Sequence, residues 1–115
     1  MLTRLKTWIG RRLGPARQES SFVLVYFNER SEAQIGARSD RTVGVFISEG
    51  RPKWAYLKCP CGCERQIALN LMTSQRPAWR LSVRSTSDFS VFPSVNATTC
   101  GAHFWLTRGR ISWAK

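Results

Sequence analysis

Cys59-Pro60-Cys61-Gly62-Cys63 puts three thiols into five residues and bends them with a proline and a glycine. Core packing does not ask for such a cluster. Far downstream, Cys100-Gly101-Ala102-His103 holds the remaining cysteine and the only histidine of the chain. Thiolate and imidazole are the donors that zinc takes, usually four at a time in a tetrahedron. We therefore expect the two segments to meet in space and hold one Zn²⁺, with Cys59, Cys61, Cys63, Cys100 and His103 as candidate ligands.

Zinc ligands commonly come as two close pairs, because two donors on one tight turn lose little entropy when they assemble. Cys100 and His103 form an ordinary pair of this kind. The knuckle is irregular, with Cys-x-Cys-x-Cys where Cys-x-x-Cys is usual. Five donors then compete for four positions, so one knuckle cysteine is expected to be spare and to sit beside a ligating sulfur. Four cysteines also allow two disulfides, but the knuckle thiols are too close in sequence to bridge without a strained loop, and metal binding in a reducing compartment fits better. A metal that closes so long a loop adds several kcal/mol to folding. A catalytic zinc would need an open position and a base close by. The nearest acid is Glu64, and neither His-Glu-x-x-His nor His-x-Glu occurs. Cys100 and His103 could act as nucleophile and base. With one histidine and three further cysteines in the chain, we expect a structural site and assign no catalytic residue.

At 115 residues and 43% hydrophobic content, the chain suits one domain with a modest core. We expect a basic amphipathic segment or tail over 1–18 and a single zinc-binding β domain over 19–115. No run is long and apolar enough to cross a bilayer. Met1 to Arg17 lacks the apolar stretch of a secretory signal. It is Arg-rich and acid-free like a transit peptide, but basic amphipathic starts are common in cytoplasmic chains, where we place the protein. Lys and Arg number 18 against 7 acids, a net charge of +11, and 14 of the basic residues are arginine. Such a surplus favours an acidic counterpart: nucleic acid, an anionic surface or an acidic protein. The basic residues are scattered, as they also are on a plain solvated surface.

In chain order, Leu2, Leu5, Ile9 and Leu13 follow helical spacing, and Gly14-Pro15 stops the helix. Phe22 to Phe27 is a β-branched and aromatic strand, expected to be buried on both faces. Residues 28–41 read as a polar loop with room for one helical turn. Val43 to Ile47 and Trp54 to Lys58 are strands about the turn Glu49-Gly50-Arg51-Pro52. Gln66 to Leu71 alternates like a half-buried strand, so strand, knuckle and strand make a zinc hairpin. Trp79 to Arg84 and Phe89 to Phe92 form a hairpin about residues 85–88, with Trp79, Leu81 and Val83 on one face. Residues 93–99 read as a loop that delivers Cys100. His103 to Thr107 and Ile111 to Trp113 close the chain. Alternation sends only one of Phe104 and Trp105 outward. Asn96-Ala97-Thr98 matches a glycosylation acceptor, which reduced thiols argue against. The fold class is mainly β: a small zinc-stabilised antiparallel domain of short strands with a short N-terminal helix.

Several of these segments occur together in a known combination. The strand Gly44 to Ile47 precedes Cys-x-Cys-Gly-Cys. The stretch Trp79 to Leu81 leads to Pro93-Ser94-Val95, then to Cys100-x-x-His103-Phe104-Trp105-Leu106 and the closing Ile111 to Ala114. Over residues 43–115 the chain resembles the bacterial family called domain of unknown function 6527. One departure is Glu64, where a glycine often follows the last knuckle cysteine. The resemblance implies metal ligation by Cys59, Cys61, Cys63, Cys100 and His103. Because some members are encoded beside ubiquitin-like, E1-like and E2-like proteins, it also implies an accessory role in protein conjugation. We therefore expect a non-enzymatic zinc-binding adaptor whose partner is a protein, such as a ubiquitin-like conjugation component. The alternative is a nucleic-acid-binding zinc protein, suggested by the charge and by Arg108 and Arg110 beside the aromatic residues.

Overall fold

Residues 21–114 are described by the structure, a computed structural model. The segment 1–18, with its stripe of Leu2, Leu5, Ile9 and Leu13, lies outside them. The described residues form eight strands in two four-stranded sheets, with one short helix. The fold is mainly β, as the spacing of short alternating segments implies.

The first sheet has the order β1 (Val23–Phe27), β2 (Thr42–Ser48), β3 (Arg51–Lys58), β4 (Gln66–Asn70). Within 28–41 the sequence forms α1 (Arg30–Gly36), about two turns where one was expected. That helix lets β1 and β2 pair in parallel, the single departure from an antiparallel arrangement in this sheet. Parallel neighbours need such a crossover, whereas antiparallel ones need only a tight turn. The helix lies on the outer side of the sheet, where Ala33 and Ala37 pack with Tyr56 and, less deeply, with Phe27, Phe46 and Trp54. Gly44 permits the close approach, since a Cβ there would stand 2.4 Å from the Ala33 carbonyl oxygen. As the edge strand, β1 is not buried on both faces: Val23 and Val25 are 46% and 37% exposed.

The second sheet is an antiparallel meander of β5 (Arg80–Ser85), β6 (Asp88–Ala97), β7 (Ala102–Thr107) and β8 (Arg110–Trp113). Here β6 runs on through the stretch expected to be a loop. A register shift between Val91 and Val95 absorbs the extra residues, after which Val95 pairs with Phe104 and Asn96 with His103. Such a bulge re-aims side chains without ending the strand. Trp79 and Leu81 pack against the core as their alternation implies, but Val83 is exposed.

The inner faces of the two sheets share one core. Leu24, Val43, Val45, Leu57 and Leu69 come from the first, and Phe89, Val91, Val95, Phe104 and Leu106 from the second. Each such side chain contributes about 1.5–3 kcal/mol on burial. Backbone hydrogen bonds stitch the sheets at their margins: Phe22 N–H to Gly109 O at 2.7 Å, Leu24 N–H to Thr86 O at 2.8 Å, and Trp79 N–H to Asn70 O at 2.8 Å. No helix among the described residues is long and apolar enough to cross a membrane.

Candidate metal centre and an adjacent serine–histidine pair

The knuckle is the turn between β3 and β4. It is closed by Cys59 N–H donating to Arg65 O at 2.8 Å and Gly62 N–H to Cys59 O at 3.3 Å. Gly62 and Glu64 adopt φ of +95° and +71°. That left-handed conformation costs glycine nothing and strains a glutamate, so the residue standing where a glycine is common occupies a glycine conformation. The second turn lies between β6 and β7, where Ala97 O accepts from Cys100 N–H at 3.2 Å and from Gly101 N–H at 2.8 Å. The two turns face one another at one end of the sandwich.

All four sulfurs lie within 4.8 Å of one another. Cys59 Sγ is 3.4 Å from Cys61 Sγ and 3.7 Å from Cys100 Sγ, and Cys61 Sγ is 3.6 Å from Cys100 Sγ. Sulfurs about 2.3 Å from a tetrahedral zinc would stand about 3.8 Å apart, whereas a disulfide needs about 2.05 Å. The spacing therefore fits a cation and no disulfide. Cys59 is buried against the core, Cys63 is half-buried, and Cys61 and Cys100 are exposed. Burial pushes the Cys59 thiol up to about 12, while a backbone N–H from Arg65 draws Cys63 down to about 7. Without a cation Cys59 stays a neutral thiol, so bringing all four sulfurs to the thiolate form would need a positive charge among them, of the kind a divalent metal would supply.

His103 is not among the group. Strand β7 begins at Ala102, so alternation governs the next residues: Ala102, Phe104 and Leu106 turn into the core, while His103 and Trp105 face out. On that outer face His103 Nε2 is hydrogen-bonded to Ser94 Oγ at 2.8 Å. The pairing of Asn96 with His103 makes Ser94 the diagonal cross-strand neighbour of His103, within side-chain reach. The imidazole that spacing alone assigns to the metal thus meets a hydroxyl instead.

Two further residues shape this face. The Trp79 indole N–H donates to Ser94 O at 3.2 Å. Asn70, buried at 6% exposure, holds the 71–78 loop: its Nδ2 donates to Met72 O and Pro77 O, both at 3.1 Å, and its Oδ1 accepts from Met72 N–H at 3.0 Å. Neither Ser94 nor Asn70 was singled out as functional from sequence, because serine and asparagine are unremarkable in strands and loops. Drawing β6 through to Ala97 would have placed Ser94 and the only histidine on one face.

No curated protein and no solved structure matches the chain. A family model does match it, over residues 28–114 and so from α1 through β8, across both sites. The chain belongs to the family described as bacterial ubiquitination-like system serine protease (BubE).

Proposed function

We propose that the protein is a serine peptidase of a bacterial ubiquitination-like system, with Ser94 as nucleophile, His103 as general base and a structural zinc held by Cys59, Cys61, Cys63 and Cys100. The observation that carries this is the 2.8 Å contact between Ser94 Oγ and His103 Nε2, on a chain whose family is described as a serine protease. A hydroxyl is a poor nucleophile until an adjacent base takes its proton, and hydrogen-bond contact between the two is the geometric requirement.

With a proton on Nδ1, His103 Nε2 accepts from the Ser94 hydroxyl. Attack by Oγ on a substrate carbonyl carbon forms the C–O bond as the proton passes to Nε2. Collapse breaks the C–N bond, and the imidazolium gives that proton to the departing amine. Water then repeats the cycle on the ester: its proton goes to His103, its oxygen to the acyl carbon, and the proton returns to Ser94 Oγ as the acid leaves. Two local bonds hold the geometry. Trp79 fixes the Ser94 carbonyl, and Ala114 N–H donates to His103 O at 2.9 Å.

The zinc ligand set is the four cysteines, leaving none of them spare and releasing His103 for chemistry. A closed set of four thiolates is the structural kind, with no open position for substrate. The metal would pin the β6–β7 turn from which Cys100 and, three residues later, His103 arise. The partner is a protein of the ubiquitination-like system whose peptide or isopeptide bond is cut. A fluorophosphonate, which esterifies activated serines, tests this on the full zinc-loaded chain. We expect a single adduct on Ser94, absent from Ser94→Ala. A chain that captures its partner but takes no adduct would return the non-enzymatic adaptor role.

A further inference from the structure

A groove of about 520 Å³ opens on the outer face of the second sheet, lined by Trp79, Phe92, Pro93 and Trp105, with Arg76 and Arg80 among its rim. It adjoins the serine–histidine pair directly. Pro93 precedes Ser94, Trp79 is bonded to the Ser94 carbonyl, and Trp105 follows His103 on the same face of β7. Its volume falls within the about 300–1,000 Å³ of small-ligand sites, enough for a short extended stretch and too little for a folded surface.

The lining has two chemistries. Phe92 and Trp105 are 38% and 41% exposed, apolar surface left open on one face, whereas Tyr56, Phe89 and Phe104 are buried; Tyr26 and Trp113 are also open but do not line the groove. Exposed apolar surface gathered beside reactive groups marks a binding site more than a packing fault. Among the described residues neither arginine is in an ion pair; those pairs use Lys58, Arg84 and Arg108. Arg80 instead lies over the Phe92 ring at 5.5 Å, which holds its guanidinium at the groove. A guanidinium so placed suits a carboxylate, which it can grip with two hydrogen bonds.

We propose that this groove is the specificity pocket of the Ser94–His103 site, and that it selects a peptide segment in which a bulky apolar side chain neighbours an acidic one. The proposal rests on the serine peptidase reading above and adds the substrate class. The apolar side chain lies among Trp79, Phe92 and Trp105, the carboxylate meets Arg76 and Arg80, and the chain between them passes Ser94 Oγ. Arginine beside open aromatic rings also suits stacked bases. A peptide is favoured here because the adjoining Ser94 requires an acyl carbon, which a nucleic acid backbone does not offer.

Binding tests the groove without depending on turnover. The full chain carrying Ser94→Ala is titrated with two fluorescein-labelled octapeptides, one with Glu-Phe at its centre and one with Lys-Ala. We expect the Glu-Phe peptide to bind more tightly by about tenfold or more. Adding Arg76→Gln with Arg80→Gln, or adding Trp105→Ala, should erase that preference. Zinc content and melting temperature should hold in both, since these side chains are exposed or only rim the core. Equal affinity for the two peptides, or a preference that survives both variants, overturns the proposal. So does tighter binding of a single-stranded oligonucleotide in the same groove. If fluorophosphonate leaves Ser94 of the wild-type chain unlabelled while the peptide preference and its loss are seen, the nucleophile assignment fails and the groove assignment stands.

Discussion

Two turns at one end of the molecule gather sulfur, while the outer face of β6 and β7 a few residues away gathers a hydroxyl, an imidazole and open aromatic rings. The first region is a device of turns: Cys59 to Cys63 and Cys100 stand where the backbone reverses, so close sequence spacing becomes close spatial spacing. The second is a device of strands, where spacing of two places side chains on one face and partners come from the neighbouring strand. Cys100 and His103 belong to different regimes although they are three residues apart. The turn ends at Gly101 and β7 begins at Ala102, so Cys100 points to the knuckle and His103 to Ser94. Sequence spacing predicts a shared site only while the backbone stays in one kind of structure.

The sharpest way to break this comparison is to remove one side chain of the strand region. Ser94→Ala should lower peptide-bond hydrolysis by on the order of a million-fold, the usual cost of losing a serine nucleophile. Zinc content and circular dichroism should stay those of the wild-type chain. Loss of metal in this variant would mean the two regions are one site.

The turn region should behave in the opposite way. Each of Cys59→Ser, Cys61→Ser, Cys63→Ser and Cys100→Ser should strip the metal and cost several kcal/mol of stability in denaturant titrations, because structural zinc contributes folding free energy directly. The four should fall together. One knuckle variant that keeps zinc and stability would restore the idea of a spare cysteine.

A third variant probes the wall that the strand region borrows from the loop after β4. Asn70→Leu leaves the Met72 N–H and the carbonyls of Met72 and Pro77 without their partner. The expected cost is about 1–3 kcal/mol of stability. The Glu-Phe peptide should bind more weakly with zinc retained, and unchanged peptide affinity would show that the 71–78 loop does not shape the groove.

The smallest effect is expected in the knuckle, from Glu64→Gly. At φ +71° the glutamate is strained, and glycine should relieve about 1 kcal/mol, partly offset by the freer unfolded chain. A slight rise in melting temperature, with no change in fluorophosphonate labelling of Ser94, fits the separation of the two sites. A marked fall would show that the Glu64 carboxylate matters beyond its backbone.

Much of the fold was legible because it rests on local pattern. The alternation from Gln66 to Leu71 and the runs about Gly44 and Trp54 each gave a strand, and the mainly β class followed. The parallel pairing of β1 with β2 was not legible, since Ala33 and Ala37 form a helix stripe of only two buried positions. The strand through Pro93 was hidden for a similar reason: a proline and two serine or asparagine positions look like loop, and only a register-shifting bulge carries the ladder past them. The sulfur cluster announced itself through rare residues in unusual density. The serine–histidine pair did not, because half of it is a common residue and the other half was already claimed by a metal motif.

His103 is where the two regions contend for one side chain, so His103→Ala tests the central claim most directly. Zinc per chain, measured by elemental analysis, is set beside fluorophosphonate labelling of Ser94 on the same preparation. We expect about one zinc per chain, as in the wild type, together with loss of the adduct. Zinc lost along with His103, or Ser94 labelled at the wild-type rate without it, would contradict the assignment of the imidazole to the serine.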